Sequence, residues 1–389
     1  MKICLINNLY PPHARGGAEV VVETIVTGLL RQGHTVVLIT IGRKRATMQT
    51  KNLTIHHVKP WNVFSFLDIN QRPTWLRLIW HPLDVFSLSG AYQVRAILKK
   101  QQPDLVMTHN LKGISYLVPS VIRKLGLRHF HTLHDVALSR PSGLIFFGQG
   151  KPFLILDKIY EKINRKLFGH PDLVISPSRW LMSFYRKLGF FDHAKVMVLP
   201  NPVVFRHVGK KKIVRKAAPV QFLFAGQIEP SKGIFFLLDT CQNLRGEWQL
   251  NIAGTGTRDE RVKELAELNP NIKLLGHVPH NQMPATFVGA DLTVVPSLCY
   301  ENSPSVIYES LAANTPVIAA DIGGVAELVK DDVNGFTFAA GNKKNLVEVL
   351  QHFIDHPESI ARLKKNCFLS VREYSVDHYV KQLLTAPGT

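Results

Sequence analysis

Residues 301–309 read Glu301-Asn302-Ser303-Pro304-Ser305-Val306-Ile307-Tyr308-Glu309, and lead on to Asn314-Thr315-Pro316 and the apolar stretch 317–320. Ser303 suits an N-cap and Pro304 suits the first helical position, where a missing N–H costs nothing. That reading predicts a helix over 306–313, with Glu301 in the loop before it and Glu309 one turn inside. The N–H groups between the two acids carry the positive end of the helix dipole and suit a phosphate. Carboxylates beside an anion site are explained if they accept hydrogen bonds from hydroxyls on the molecule that carries the phosphate, as in a sugar nucleotide. A plainer reading is that two acids near a helix start favour its dipole. The next segment weighs for the first reading. A strand over 317–320 ends in Asp321-Ile322-Gly323-Gly324, and Glu327 opens another helix. Strands that end in small-residue loops leading into helices are where α/β proteins bind ligands.

Working outward, the same strand–loop–helix unit recurs in both halves. In the first, a strand over 2–7 meets Tyr10-Pro11-Pro12-His13-Ala14-Arg15-Gly16-Gly17, then a helix over 18–31 that Gln32-Gly33-His34 ends, then a strand over 36–40. Short apolar runs at 105–108, 128–133 and 173–176 read as buried parallel strands. In the second, strands over 221–224, 250–253 and 292–295 end at Ala225-Gly226, Gly254-Thr255-Gly256 and Pro296-Ser297. The pattern predicts two doubly wound, Rossmann-like α/β domains, 1–204 and 220–373, with a ligand in the cleft between their strand ends. The basic, apolar-poor stretch 205–219 reads as a linker. Gly254 and Gly256 lack the third glycine of a dinucleotide fingerprint, which argues against NAD.

A chain of 389 residues with 46% hydrophobic content can build two cores. Cys4, Cys241, Cys299 and Cys367 show no metal-binding spacing and read as reduced thiols of a cytosolic protein. The start lacks signal-peptide character, and no apolar run reaches the length of a membrane span. The net charge is +18, and nearly all of it falls in residues 1–200. A basic half joined to a neutral half points to an anionic partner. An anionic membrane surface is favoured over nucleic acid, because no nucleic-acid motif or base-stacking aromatic repeat is present. Basic and apolar residues interleave over 152–168, a candidate interfacial helix. Aromatic residues crowd another stretch: Trp61, Phe64, Phe66, Trp75, Trp80 and Phe86. Taken singly, either segment is slightly better explained by core packing beneath a solvated basic face, and the charge of the whole half supports the membrane reading better than either segment does.

The motifs, in this order and spacing, resemble the retaining glycosyltransferases of family 4, which have the GT-B fold. The resemblance spans nearly the whole chain and is carried by Glu301-x7-Glu309, Thr315-Pro316-Val317-Ile318 and Gly323-Gly324. Gly16-Gly17, His134-Asp135, Ser176-Pro177-Ser178, Pro200-Asn201, and Gly226 through Lys232-Gly233 add to it. It implies that Glu309 accepts hydrogen bonds from the nucleotide ribose. Glu301, with the backbone of Asn302 and Ser303, would lie by the donor sugar and phosphates. Lys232 would neutralise the departing diphosphate, with Gly16 and Gly17 letting backbone approach it. Gly226, Gln227, Gly254 and Ser305 complete the implied donor site, and His134 would position the sugar. His13, His109 and His131 are secondary candidates. Lysine and helix ends can stabilise developing diphosphate charge without a metal, and no DxD-like acidic cluster is present. The chain is therefore expected to need neither metal nor cofactor. The residues from Tyr374 onward would cross back to the first domain, as is usual in this fold.

Two departures stand out. The family usually has a second diphosphate cation, an arginine, where this chain has Gln227; Lys232, Arg15 or another cation would then carry that charge. Asn314 stands where glycine is common. The resemblance implies an enzyme that moves a sugar from a UDP- or GDP-linked donor to a glycan or lipid-linked acceptor; the cysteines and the basic half, not the resemblance, point to the cytoplasm and the inner face of the cell membrane. The alternatives are a sugar-nucleotide epimerase of the same fold and a catalytically silent scaffold that binds glycan or membrane.

Overall fold

The computed structural model describes residues 1–13, 16–148, 154–205 and 218–386. Two compact units share the chain. The first comprises Met1–Gly143, Lys151–Pro202 and Val376–Thr389; the second comprises Leu144–Gly150 and Val203–Ser375.

The first unit is built on eight strands: β1 (Lys2–Ile6), β2 (Thr35–Ile41), β3 (Ala46–Gln49), β4 (Leu53–Val58), β5 (Leu105–Thr108), β6 (His129–Thr132), β7 (Leu173–Ser176) and β8 (Lys195–Val198). Their order is β3-β4-β2-β1-β5-β6-β7-β8. All pairs are parallel except β3 with β4. Past their first residues β1, β2, β5 and β7 are buried and mostly apolar, as parallel sheets covered on both faces require, whereas β6 (His-Phe-His-Thr) is buried but mostly polar. Ile3, Leu5, Val36 and Leu38 pack there with Val22 and Ile25 of the helix Gly17–Arg31. The C-terminal helix Val376–Leu384 packs on that same helix through Val376, Val380 and Leu383.

The second unit has six parallel strands: β9 (Val220–Ala225), β10 (Trp248–Ala253), β11 (Ile272–Gly276), β12 (Leu292–Val295), β13 (Val317–Asp321) and β14 (Gly335–Ala339). Their order is β11-β10-β9-β12-β13-β14. Chain order reverses between β9 and β12, so the carboxyl ends of these two strands flank a topological switch point.

Several local expectations are corrected. The helix after Glu301 is Ser305–Ala312, and Pro304 (φ −65°, ψ 123°) takes the cap position with no side-chain cap. Ser303 is therefore not the N-cap; its hydroxyl pairs with the Tyr308 hydroxyl at 2.5 Å. Glu327 does not open a helix, because Val325–Glu327 is a single 3-10 turn. Residues 144–148 belong to the second unit. Tyr300 N–H donates to the Ile145 carbonyl at 2.9 Å, Phe147 N–H donates to the Leu298 carbonyl at 2.9 Å, and Phe146 bridges Cys299 antiparallel. Twelve residues of the expected linker, 206–217, lie outside the described residues, as does Arg15. Among the described residues, no helix is long and apolar enough to cross a membrane.

Candidate active site

In the second unit a pocket of about 290 Å³ opens at the carboxyl ends of β9, β10 and β11. Ala225, Gly226 and Gln227 continue β9, while Ala253, Gly254 and Thr255 continue β10. His277 and Val278 follow β11, and Ser305, Val306 and Glu309 come from the first turns of the helix after Glu301. Phe287 and Met283 close the apolar side. The polar groups are few and convergent, as in small-molecule sites. Gly254 is required by close approach: at φ +147°, a Cβ there would sit 1.8 Å from the Gly226 carbonyl oxygen. The two loops run backbone against backbone, with the Gly226 N–H donating to the Ala253 carbonyl at 3.0 Å.

Glu301 sits in the loop before the helix, and its Oε1 accepts from Lys232 Nζ at 2.5 Å and from Ser297 Oγ at 3.0 Å. Burial alone would lower the Lys232 pKa. The Glu301 carboxylate outweighs this, by its charge and its hydrogen bond, and holds the ammonium above its usual range. The Glu301 backbone is fixed as well, because its carbonyl accepts from the Gly324 N–H at 2.7 Å. Gly323 lies so close (φ +67°) that a Cβ would meet that carbonyl oxygen at 2.1 Å. The paired segment 145–147 holds the other side of the same loop, next to Glu301.

His134 lies in the first unit just past the end of β6. Its Nε2 shares a hydrogen bond with His109 Nδ1 at 2.9 Å. Burial pushes His134 down to about 4 and His109 well below its ordinary value, so both rings are neutral at pH 7. His131 is pushed down to about 3 by burial, and its Nδ1 shares a hydrogen bond with the Thr108 hydroxyl at 2.9 Å. Gly16 N–H donates to Glu19 Oε2 at 2.8 Å, and Gly17 begins its helix.

The fold therefore gathers Gly226, Gln227, Gly254, Ser305 and Glu309 around one pocket and pairs Lys232 with Glu301. Asn302 and Ser303 lie between those two clusters in the chain. His134, Gly16 and Gly17 belong to the first unit. Sequence reasoning missed His277, Val278, Met283 and Phe287; the available signal was β11, an apolar run that ends in Gly276-His277.

Two family models match the chain. Residues 15–205 match "Glycosyltransferase Family 4" and residues 207–368 match "Glycosyl transferases group 1". The chain belongs to glycosyltransferase family 4. The chain is 25% identical to a protein of the cps region of Klebsiella pneumoniae, covering 84% of this chain and 87% of that one. It is 24% identical to a glycosyltransferase of Methanocaldococcus jannaschii, covering 98% and 96%. The GT-B fold is shared with the sucrose-phosphate synthase of Thermosynechococcus elongatus, at a TM-score of 0.78 and 18% identity over 98% of this chain and 97% of that one. It is shared too with Anabaena HepE in complex with UDP, at 0.69 and 17% over 99% and 98%. The family 4 assignment makes the protein a glycosyltransferase.

Proposed function

We infer that this glycosyltransferase moves a sugar from a UDP- or GDP-linked donor onto a glycan or lipid-linked acceptor during synthesis of a cell-surface polysaccharide or glycolipid. The observation that carries the reading is the pocket at the β9–β11 strand ends, where Glu309 faces an apolar wall beside a helix N-terminus. A nucleoside fits that chemistry. Its base would rest against Val278, Met283 and Phe287, while Glu309 accepts hydrogen bonds from the ribose hydroxyls. HepE, of the same fold, is seen with UDP, and the Klebsiella relative is named for a cps region.

In this reading Glu301 orients the donor sugar, and the Lys232 ammonium meets the diphosphate as the sugar–phosphate bond breaks. Pre-placed cations and N–H dipoles act on the charge that develops at that moment. The acceptor oxygen forms the new bond to the anomeric carbon on the face the diphosphate leaves, so the configuration is retained. Lys232 and the helix N–H groups supply the stabilisation that a metal supplies elsewhere. The neutral His134–His109 pair would donate or accept a hydrogen bond at the sugar rather than act as a base. The enzyme would work in the cytoplasm at the inner face of the membrane, drawn there by its basic half.

The test is to incubate the enzyme with UDP- and GDP-sugars and acceptor glycolipids in EDTA. Nucleoside diphosphate release and the anomeric proton of the product are then followed by NMR. The expected result is EDTA-insensitive transfer that keeps the donor's anomeric configuration. An inverted product, a metal requirement, or an epimerised sugar nucleotide without transfer would each contradict a stated part of the reading.

A further inference from the structure

The helix Thr74–Val85 buries only Trp80, Asp84 and Val85 and leaves a run of large apolar residues facing solvent. Trp80 and Asp84 face inward, 1% and 3% exposed. Trp80 donates from Nε1 to the Phe64 carbonyl at 2.9 Å, and both Asp84 carboxylate oxygens accept from the Gly113 N–H, at 2.8 and 2.9 Å. The outward positions 75, 78, 79, 82 and 83 recur with helical spacing and are all apolar. Trp75 is 61% exposed, Leu78 69% and Ile79 50%. The solvent face is thus richer in large apolar groups than folding the unit explains. Scattered exposed apolar residues need no account, but a contiguous face of this kind marks an interaction site.

The face extends and changes character in one direction. Phe86 and Leu88 follow it, and Trp61 is held alongside because its N–H donates to Ser89 Oγ at 2.7 Å. On the next helix, Leu88–Gln101, one stripe reads Leu88, Tyr92, Arg95, Lys99, apolar to aromatic to cationic, and all four are exposed. Aromatic rings that bridge an apolar zone and a row of cations are what the boundary between acyl chains and anionic headgroups selects. A second copy of the chain fits poorly, because it would bring together two halves that each carry most of the +18 net charge.

We propose that the face formed by Trp75, Leu78, Ile79, Leu83 and Phe86 inserts into an anionic bilayer. Trp61 and Tyr92 lie at its headgroup level, and Arg95 and Lys99 contact the lipid phosphates. The proposal rests on the membrane reading above and assigns its docking surface to this helix pair. The helix Leu154–Phe168 also exposes Ile155, Leu156 and Ile159, and is the rival docking element that the second variant below tests.

The full-length protein is sedimented with vesicles of phosphatidylglycerol and phosphatidylcholine, and with phosphatidylcholine alone. The variants are a Trp75→Ser/Leu78→Ser/Ile79→Ser triple and an Ile155→Ser/Leu156→Ser/Ile159→Ser triple, with circular dichroism and Tm checking the fold. The wild type should bind anionic vesicles at low salt. The first triple should lose about tenfold or more in affinity, and the second should change by less than about threefold. Brominated lipid should quench wild-type tryptophan fluorescence, and less so in Trp75→Phe, which tests the same face if the triple fails to fold. Binding by the wild type that the first triple leaves intact, or that only the second triple weakens, overturns this surface while the membrane reading stands. No binding by the wild type overturns both. Wild-type dimers made monomeric by the first triple, with vesicle binding unchanged, would assign the face to self-association instead.

Discussion

Lys232 Nζ and Glu301 Oε1 stand 2.5 Å apart, and Ser297 Oγ donates to the same carboxylate oxygen at 3.0 Å. Two residues to which the resemblance assigns separate tasks, Glu301 by the donor sugar and phosphates and Lys232 at the departing diphosphate, therefore form a single unit. Glu301 holds the lysine charged and fixes its head near the end of the loop that follows β9. Lys232→Ala should lower kcat by about 10²–10³-fold with a smaller change in KM, since in the proposed reaction its charge acts most as the diphosphate departs. In steady-state kinetics the Lys232→Ala/Glu301→Gln double variant should lose less than the product of the single losses. Full additivity would mean that the pair does not act as a unit.

Gly323 bears on the same carboxylate through backbone. Gly323→Ala places a methyl against the Glu301 carbonyl oxygen at a left-handed φ. Both faults predict a loss of about 2 kcal/mol or more, read as a Tm drop of several degrees, together with reduced turnover. Gly289→Ala is the control: a Cβ there meets nothing within 4 Å, and its Tm should stay the same or rise.

Gln227 lines the pocket, at the position where the resemblance implied a second diphosphate cation. Gln227→Arg adds a diphosphate cation and should tighten nucleoside diphosphate binding by about tenfold at low salt, with the gain shrinking as salt rises. Isothermal titration at two ionic strengths measures it. Unchanged affinity would mean that another group already supplies the charge.

The buried histidines set the acid side of stability. Folding lowers the pKa of His109, His129, His131 and His134, in each case chiefly by burial. The unfolded chain therefore binds more protons between its ordinary histidine pKa of about 6.5 and the depressed folded values. Their contribution is complete above that range and is lost as pH falls toward 4. Asp84 and Asp135 work with the opposite sign: burial raises Asp84 to about 7 and raises Asp135 too, so their contribution is lost as pH rises through their raised values. Partial burial also lowers His34, His56 and His81, so seven histidines against two carboxylates predict a first unit that weakens from pH 6.5 to 4. A Tm series over that range should show the slope, and His134→Gln should flatten it. A flat series in the wild type would contradict the neutral-histidine assignment.

The strand–loop–helix rhythm was legible because buried parallel strands are written as short apolar runs. Leu105–Thr108, Leu173–Ser176 and Leu292–Val295 fall where that pattern puts them. The pocket residues Gly226, Gln227, Gly254 and Glu309 were legible as small or polar groups at strand ends and in a helix's first turns. Other features leave no local signature. The pairing of 145–147 with 298–300 joins segments about 150 residues apart. Ser303 read as a cap because Ser before Pro usually is one, but Tyr308, one helical turn on, takes its hydroxyl. The aromatic stretch around Trp75 read slightly better as core packing, because helical periodicity identifies an apolar face but not whether it points inward. Only the inward placement of Trp80 and Asp84 shows which side is left to solvent.

The most direct test of the account is thermal stabilisation of wild type and Glu309→Ala by UDP, GDP and ADP, each well above its dissociation constant. Saturating ligand should add a few kcal/mol of stability, a shift of several degrees. The account predicts such a shift with one uridine or guanosine diphosphate in the wild type and its loss in Glu309→Ala. No shift with any nucleotide, or an equal shift in both proteins, would contradict the assignment of the β9–β11 pocket as the donor site.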